Sequence, residues 1–217
     1  MRKLKLVFLV ALFPSMLFAQ DGLATIDEQK FINKEINSVI YKDEAFRLPV
    51  SDDPNWKKLQ RNIRRKYGEV DAGKMINGSK IRYYKIKNDW SKFSDAYLTN
   101  LEKYDKVEKM TSYKQLSWSV NNTLYNQIFK NVNDKKLLIR AAIQSRKIIN
   151  NPNSIKPGEP VDRYSANNID TYANLLYKAG NAKTAIEWQK KAVEFTNREE
   201  KEFMSNLEKM QKGEKTW

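Results

Sequence analysis

The sequence predicts an all-α fold, with antiparallel helix pairs stacked as a right-handed solenoid. Three observations predict it. Apolar residues recur at i, i+3, i+4 and i+7 in one segment after another, the period of an amphipathic helix. Capping signatures of the Ser/Thr/Asn-x-x-Glu/Gln kind stand immediately before several of those segments. The stretch from Asn168 to Thr196 reads as two helices joined at Gly180-Asn181, where glycine suits a left-handed helix end and asparagine can cap the next helix.

In chain order, Met1-Arg-Lys-Leu-Lys5 is a cationic start, and Leu6 to Phe18 is almost wholly apolar. That run has the length of a signal-peptide core and is short for a bilayer span. Residues 1–19 are expected to be a signal peptide cleaved after Ala19, which places the chain in the periplasm or outside the cell; the alternative is an uncleaved anchor. No cysteine follows the run and no later segment is apolar enough to cross a membrane, so the mature chain has no expected transmembrane segment. Residues 20–53 form an N-terminal helix and a connection. Thr25-x-x-Glu28 opens that helix, with Phe31, Ile32, Ile36 and Val39 on its apolar face. Asp53 is expected to cap the next helix, with Pro54 at its first position.

Residues 54–217 form the main helical domain. Its first helix carries Trp56, Leu59, Gln60, Ile63 and Tyr67 on one side, with Lys57, Lys58, Arg61, Arg64 and Arg65 on the other, and Gly68 ends it. A weaker pattern from Val70 to Ile86 is interrupted by Gly73 and Gly78, each costing about 1 kcal/mol against alanine in a helix. Asp89 caps a helix bearing Trp90, Phe93, Tyr97, Leu98, Leu101 and Tyr104. Ser112-x-x-Gln115 opens a long helix with Leu116, Val120, Leu124, Ile128 and Val132. Asp134 caps its partner, whose buried face is Leu137, Leu138, Ala141, Ala142, Ser145, Ile148 and Ile149. Asn150 to Pro160 is turn-rich and reads as a loop, a plain insertion with a binding loop as the alternative. The hairpin follows, with Tyr172, Leu175, Leu176 and Ala179 on its first helix and Ala182, Ala185, Ile186 and Val193 on its second. Asn197-x-x-Glu200 caps a last helix with Phe203, Leu207 and Met210 inward and Glu202, Ser205, Asn206 and Lys209 outward.

The order Gly180, Ala185, Ile186, Ala192 resembles the second half of a tetratricopeptide repeat, with small residues where two helices approach closely. The run from Trp56 to Trp217 resembles the helical C-terminal region of exported bacterial thioredoxin-family proteins. Tyr84 to Trp90, Asp170 to Phe195 and the tail Leu207 to Trp217 carry that resemblance. It implies a tetratricopeptide-like scaffold and an envelope compartment. In such proteins a thioredoxin-like domain with a Cys-x-x-Cys site comes first. Here only 36 residues separate Ala19 from Trp56 and the chain has no cysteine, so the thioredoxin domain is missing and its activity is not implied.

Composition narrows the chemistry. The chain has 40 Lys and Arg against 26 Asp and Glu, and neither His nor Cys. Removing Arg2, Lys3 and Lys5 with the signal leaves 37 basic residues and a net charge of +11. Thiol catalysis, disulfides and imidazole general-base or metal chemistry are therefore excluded. No cofactor and no catalytic or metal site is expected. Lys57, Arg61, Arg64 and Arg65 are candidate partner-binding residues for an acidic protein or the anionic envelope surface, with a solvated face as the plain alternative. Nucleic acid is not an expected partner of an exported chain. The aromatics from Tyr83 to Tyr104 read as core rather than as a ligand groove, and Asp52-Asp53 and Glu199-Glu200 read as helix-start residues. The expected function is a non-catalytic scaffold that receives a protein or peptide on a concave surface made by the first helix of each pair. The alternatives are a redox accessory to a separate thioredoxin-like protein, or an enzyme of unknown class.

Overall fold

A computed structural model describes residues 25–68, 71–155, 161–196 and 199–217, with the backbone alone for 161–164. Among the described residues the fold is all-α apart from one small ribbon. Helix α1 (Ile26–Ile40) starts on the expected capping box, with Glu28 N–H on Thr25 Oγ1 at 3.3 Å and Thr25 N–H on Glu28 Oε2 at 2.8 Å. Its buried seam is Ile32, Ile36 and Ile40, whereas Phe31 and Val39 face solvent. The apolar face is therefore narrower than the sequence pattern implied. An antiparallel ribbon then appears, β1 (Tyr41–Asp43) against β2 (Leu48–Pro49), inside what read as a plain connection.

Helix α2 (Trp56–Tyr67) is capped by Asn55, whose Oδ1 accepts from Lys58 N–H at 3.0 Å. The expected cap, Asp53, is instead ion-paired to Lys92 Nζ on a later helix, and Pro54 lies ahead of the first turn. Trp56, Leu59 and Ile63 are buried as expected, and Gly68 ends the helix at φ +72°. Helix α3 (Ala72–Ile86) forms despite its two glycines, capped by Asp71, and packs against α4 (Trp90–Lys103), capped by Asp89. Tyr83, Tyr84 and Phe93 are core residues. Tyr83 Oη reaches the carbonyls of Val50 and Asp52, both at 3.0 Å, pinning the connection to the core.

After a 3₁₀ turn (Val107–Lys109), helix α5 runs through three consecutive segments, Lys114–Val120, Asn121–Thr123 and Leu124–Phe129. Its first and third segments are wound as π-helix, with i→i−5 bonds such as Asn121 N–H to Leu116 O. No side chain caps it: Ser112 contributes its carbonyl, to Gln115 and Leu116 N–H at 3.0 Å, in place of the expected box. Leu116, Val120, Leu124, Ile128 and Val132 are all buried, as their spacing required.

Helix α6 (Lys135–Asn150) is capped by Asp134 and tied to α4 by Arg140. Its guanidinium donates to both carboxylate oxygens of Glu102, at 2.9 and 2.8 Å, and to Asp95 at 2.6 Å. The following loop contains a 3₁₀ turn (Pro152–Ser154), where no helical structure was expected. Asn151 Nδ2 fastens it to the carbonyls of Val107 and Met110; residues 156–160 lie outside the described residues.

Helix α7 (Val161–Lys178) packs against α6, α8 and α9. It is consequently buried on more than the single expected face: Asn168, Asp170, Thr171, Asn174 and Lys178 are buried along with its apolar residues. Gly180, at φ +100°, turns the chain into α8 (Ala182–Phe195). Ala185 and Ala192 are fully buried while Ala182 is exposed, and Asn181 occupies the cap position without a side-chain bond. Helix α9 (Lys201–Lys212) begins at Glu200 without a side-chain cap, and Asn197 lies outside the described residues. One apolar cluster runs from Ile32 to Met210, with a smaller one around Ala166, Ile169, Ala192, Val193 and Phe203. The expected signal segment lies outside the described residues. Among those described, no helix is long and apolar enough to cross a membrane.

Candidate functional site

Helices α5, α7 and α9 enclose a cleft of about 260 Å3. The spacing on α5 builds one wall. Ser117, Asn121 and Tyr125 form one row, four residues apart, and Trp118, Asn122 and Asn126 form a parallel row beside it. The π winding of both flanking segments matters here, because such turns are rare and concentrate where side chains serve a site. Helix α7 contributes Asn167, Asp170 and Thr171, and α9 contributes Glu202 and Phe203.

Asp170 is the chemical centre of the cleft. It is 4% exposed. Its Oδ1 accepts from Gln189 Nε2 at 2.7 Å and from Asn206 Nδ2 at 3.2 Å. Burial pushes its carboxyl up to about 6, against the pull of those two amides. Asn206 was expected on the outer face of α9; it is buried, because a helical wheel sorts residues by polarity and cannot see an acid waiting on the neighbouring helix. Across the cleft, Tyr125 Oη donates to Glu202 Oε1 at 3.0 Å. The Tyr125 hydroxyl is held well above the ordinary phenol range by burial first, then by the charges of Asp170 and Glu202.

The amides around this acid are incompletely satisfied. Asn168 Nδ2 donates to Ser117 Oγ at 3.0 Å, and Asn174 Nδ2 to Asp170 O at 3.0 Å. Yet the side-chain oxygens of Asn121, Asn168, Asn174 and Gln189 are buried without a hydrogen-bond partner among the described residues. Asn121 decides the reading, since it is 4% exposed and lines the cleft itself. A buried acceptor left unpaired costs about 1–3 kcal/mol. Trp118 does the opposite: it is 65% exposed at the rim, an unusual position for so large an apolar ring.

The residues singled out from the sequence lie elsewhere. Lys57, Arg61, Arg64 and Arg65 are all exposed on α2, and none is ion-paired among the described residues. Lys57, Arg61 and Arg64, with Gln60, edge a surface depression of about 380 Å3, and Arg65 does not reach it. That depression shares no residue with the α5–α7–α9 cleft. The cleft residues were legible only in part. The row at 117, 121, 125 stands directly beside the apolar seam and the row at 118, 122, 126 farther round, both polar or aromatic at a constant spacing, a pattern visible in the sequence. The partnership of Asp170 with Gln189 and Asn206 leaves no such signal. Among the described residues no group of three or more acids stands close enough to hold a metal ion. No protein-family model, no curated protein and no solved structure matches this chain.

Proposed function

We propose that the protein is a non-catalytic interaction module of the cell envelope, receiving an extended protein or peptide segment in the α5–α7–α9 cleft. The observation that carries this reading is Asn121. Its side-chain oxygen is buried without a partner, and the residue lines a cleft with an exposed tryptophan at the rim. Asparagine rows suit an extended peptide, whose backbone offers a donor and an acceptor at each residue. Aromatic rings at the rim supply the large, rigid contact area typical of binding hot spots. The proposed scaffold is a tetratricopeptide-like right-handed solenoid of the pairs α3/α4, α5/α6 and α7/α8. The cleft then lies on the first helices of successive pairs, with α9 in the next such place. Export by the N-terminal segment, and kinship with the helical region of envelope thioredoxin-family proteins, belong to the same proposal.

Selection of random peptides displayed on phage against the immobilised full chain tests it. Enriched peptides should lose binding on Trp118→Ala and Asn121→Leu while keeping it on Arg61→Glu/Arg64→Glu. Failure to enrich any sequence, or enriched peptides indifferent to both cleft substitutions, would overturn the proposal. The depression on α2 favours a second reading, attachment of Lys57, Arg61 and Arg64 to an anionic surface. Its signature is binding to vesicles rich in anionic lipid that weakens steeply with salt, since exposed charges are screened beyond about 10 Å at 0.1 M.

A further inference from the structure

We infer that the cleft selects a cationic side chain, a lysine or arginine of the bound segment, and seats its charge against Asp170 and Glu202. The inference rests on the peptide-receiving reading and adds the identity of the residue read. The charge pattern is the first argument. The chain carries 40 basic residues against 26 acidic ones, yet the cleft is lined by two acids and by no Lys or Arg. In a basic protein, a cleft wall with acids and no Lys or Arg leaves room for a ligand's cation.

Hydrogen-bonding capacity is the second argument. The two acids of the cleft are short of counter-charge: neither Asp170 nor Glu202 is ion-paired among the described residues. A ligand that pairs with these carboxylates must donate, and an ammonium offers three donors while a guanidinium offers five. The carboxylates are also held in position before any ligand arrives. Gln189 from α8 and Asn206 from α9 fix Asp170, and Tyr125 from α5 fixes Glu202. Amides and a phenol orient these acids without neutralising them, which leaves the charge for the ligand.

The rim is the third argument. Tyr125, Phe203 and Trp118 give the cleft aromatic surface, and a cation over an aromatic face is attracted by the ring quadrupole. One cation already lies at this rim. Lys130 Nζ is 4.9 Å from the centre of the Tyr125 ring and 3.0 Å from Asn126 Oδ1. It is exposed and is the internal charge a ligand would compete with.

The test uses the full chain and a matched set of capped alanine-based peptides differing in one central residue: lysine, arginine, norleucine or glutamate. Binding is read by the Trp118 indole and Asn121 amide signals in 15N-edited NMR spectra. Lysine and arginine peptides should bind about ten-fold more tightly than norleucine, one partly buried ion pair's worth of selectivity. That preference should collapse in Asp170→Asn and shrink in Glu202→Gln, a substitution at an exposed position that leaves packing intact, while the residual norleucine binding persists. Equal binding of lysine and norleucine peptides would overturn the cation inference and leave the peptide reading standing. No shift with any peptide would overturn both, as would a response to a neutral oligosaccharide alone.

Discussion

Asp170→Asn separates the cost of the buried acid from its use. The carboxyl's folded-state value is about 6 against an ordinary 3.8, so the native state holds the proton more tightly than the unfolded chain does. That advantage is complete below about pH 4 and is lost as pH rises through about 6. Two units at about 1.4 kcal/mol each make roughly 3 kcal/mol of native stability lost over that window. Asparagine has no proton to lose, and its Oδ1 can still accept from Gln189 and Asn206. The two proteins should therefore be about equally stable at pH 4, and the variant should be more stable by up to about 3 kcal/mol at pH 7. Urea denaturation of both proteins across this range measures the difference, in which titrating groups that do not interact with Asp170 cancel. A difference that does not change with pH, or a variant less stable at pH 7, would refute the reasoning. The expected result would also mean that the native residue is retained against stability, as residues kept for binding commonly are.

Three further expectations concern the scaffold. A Cβ at Gly78 meets nothing within 4 Å, whereas one at Gly73 stands 2.6 Å from Tyr104 Oη; thermal melts should show Gly78→Ala gaining up to about 1 kcal/mol and Gly73→Ala gaining less. Arg140→Lys keeps the charge but loses the paired bonds to Glu102, and should cost about 1–2 kcal/mol in chemical denaturation; a double-mutant cycle with Glu102→Gln should assign that cost to the pair. Ala185 is fully buried, so Ala185→Leu should overpack the α7–α8 hairpin and cost roughly 1–3 kcal/mol. Gly180→Val should also destabilise, because φ +100° is a conformation that a β-branched residue resists. Near-wild-type melting of both hairpin variants would remove the close approach as the reason for small residues there.

Periodicity located the α2 and α5 seams because their apolar residues fall in a stripe that repeats at helical spacing; it did not show that Ser117 and Asn121, beside the α5 stripe, are buried as well. Caps were legible where the side chain and its N–H are three residues apart, as at Thr25, Asp89 and Asp134. At Asp53 and Ser112 the same residue types answered to other partners, an ion pair with Lys92 and a backbone turn. The ribbon at Tyr41–Pro49 was missed because strands this short carry no period of their own.

The sequence alone determined that the chain is helical, that it is strongly basic, and that it has no thiol or imidazole chemistry. These follow from composition and from contacts between near neighbours in the chain. The tertiary structure decided which polar residues are inside. Asn121, Asp170, Gln189 and Asn206 lie on four different helices, and each is an ordinary surface residue by its local pattern. Only the packing of α7 among α5, α8 and α9 takes them out of water together. Once there, an unpaired oxygen or an unneutralised carboxylate carries a free-energy cost that it would not have in solvent, and that cost makes the cleft recognisable as a site.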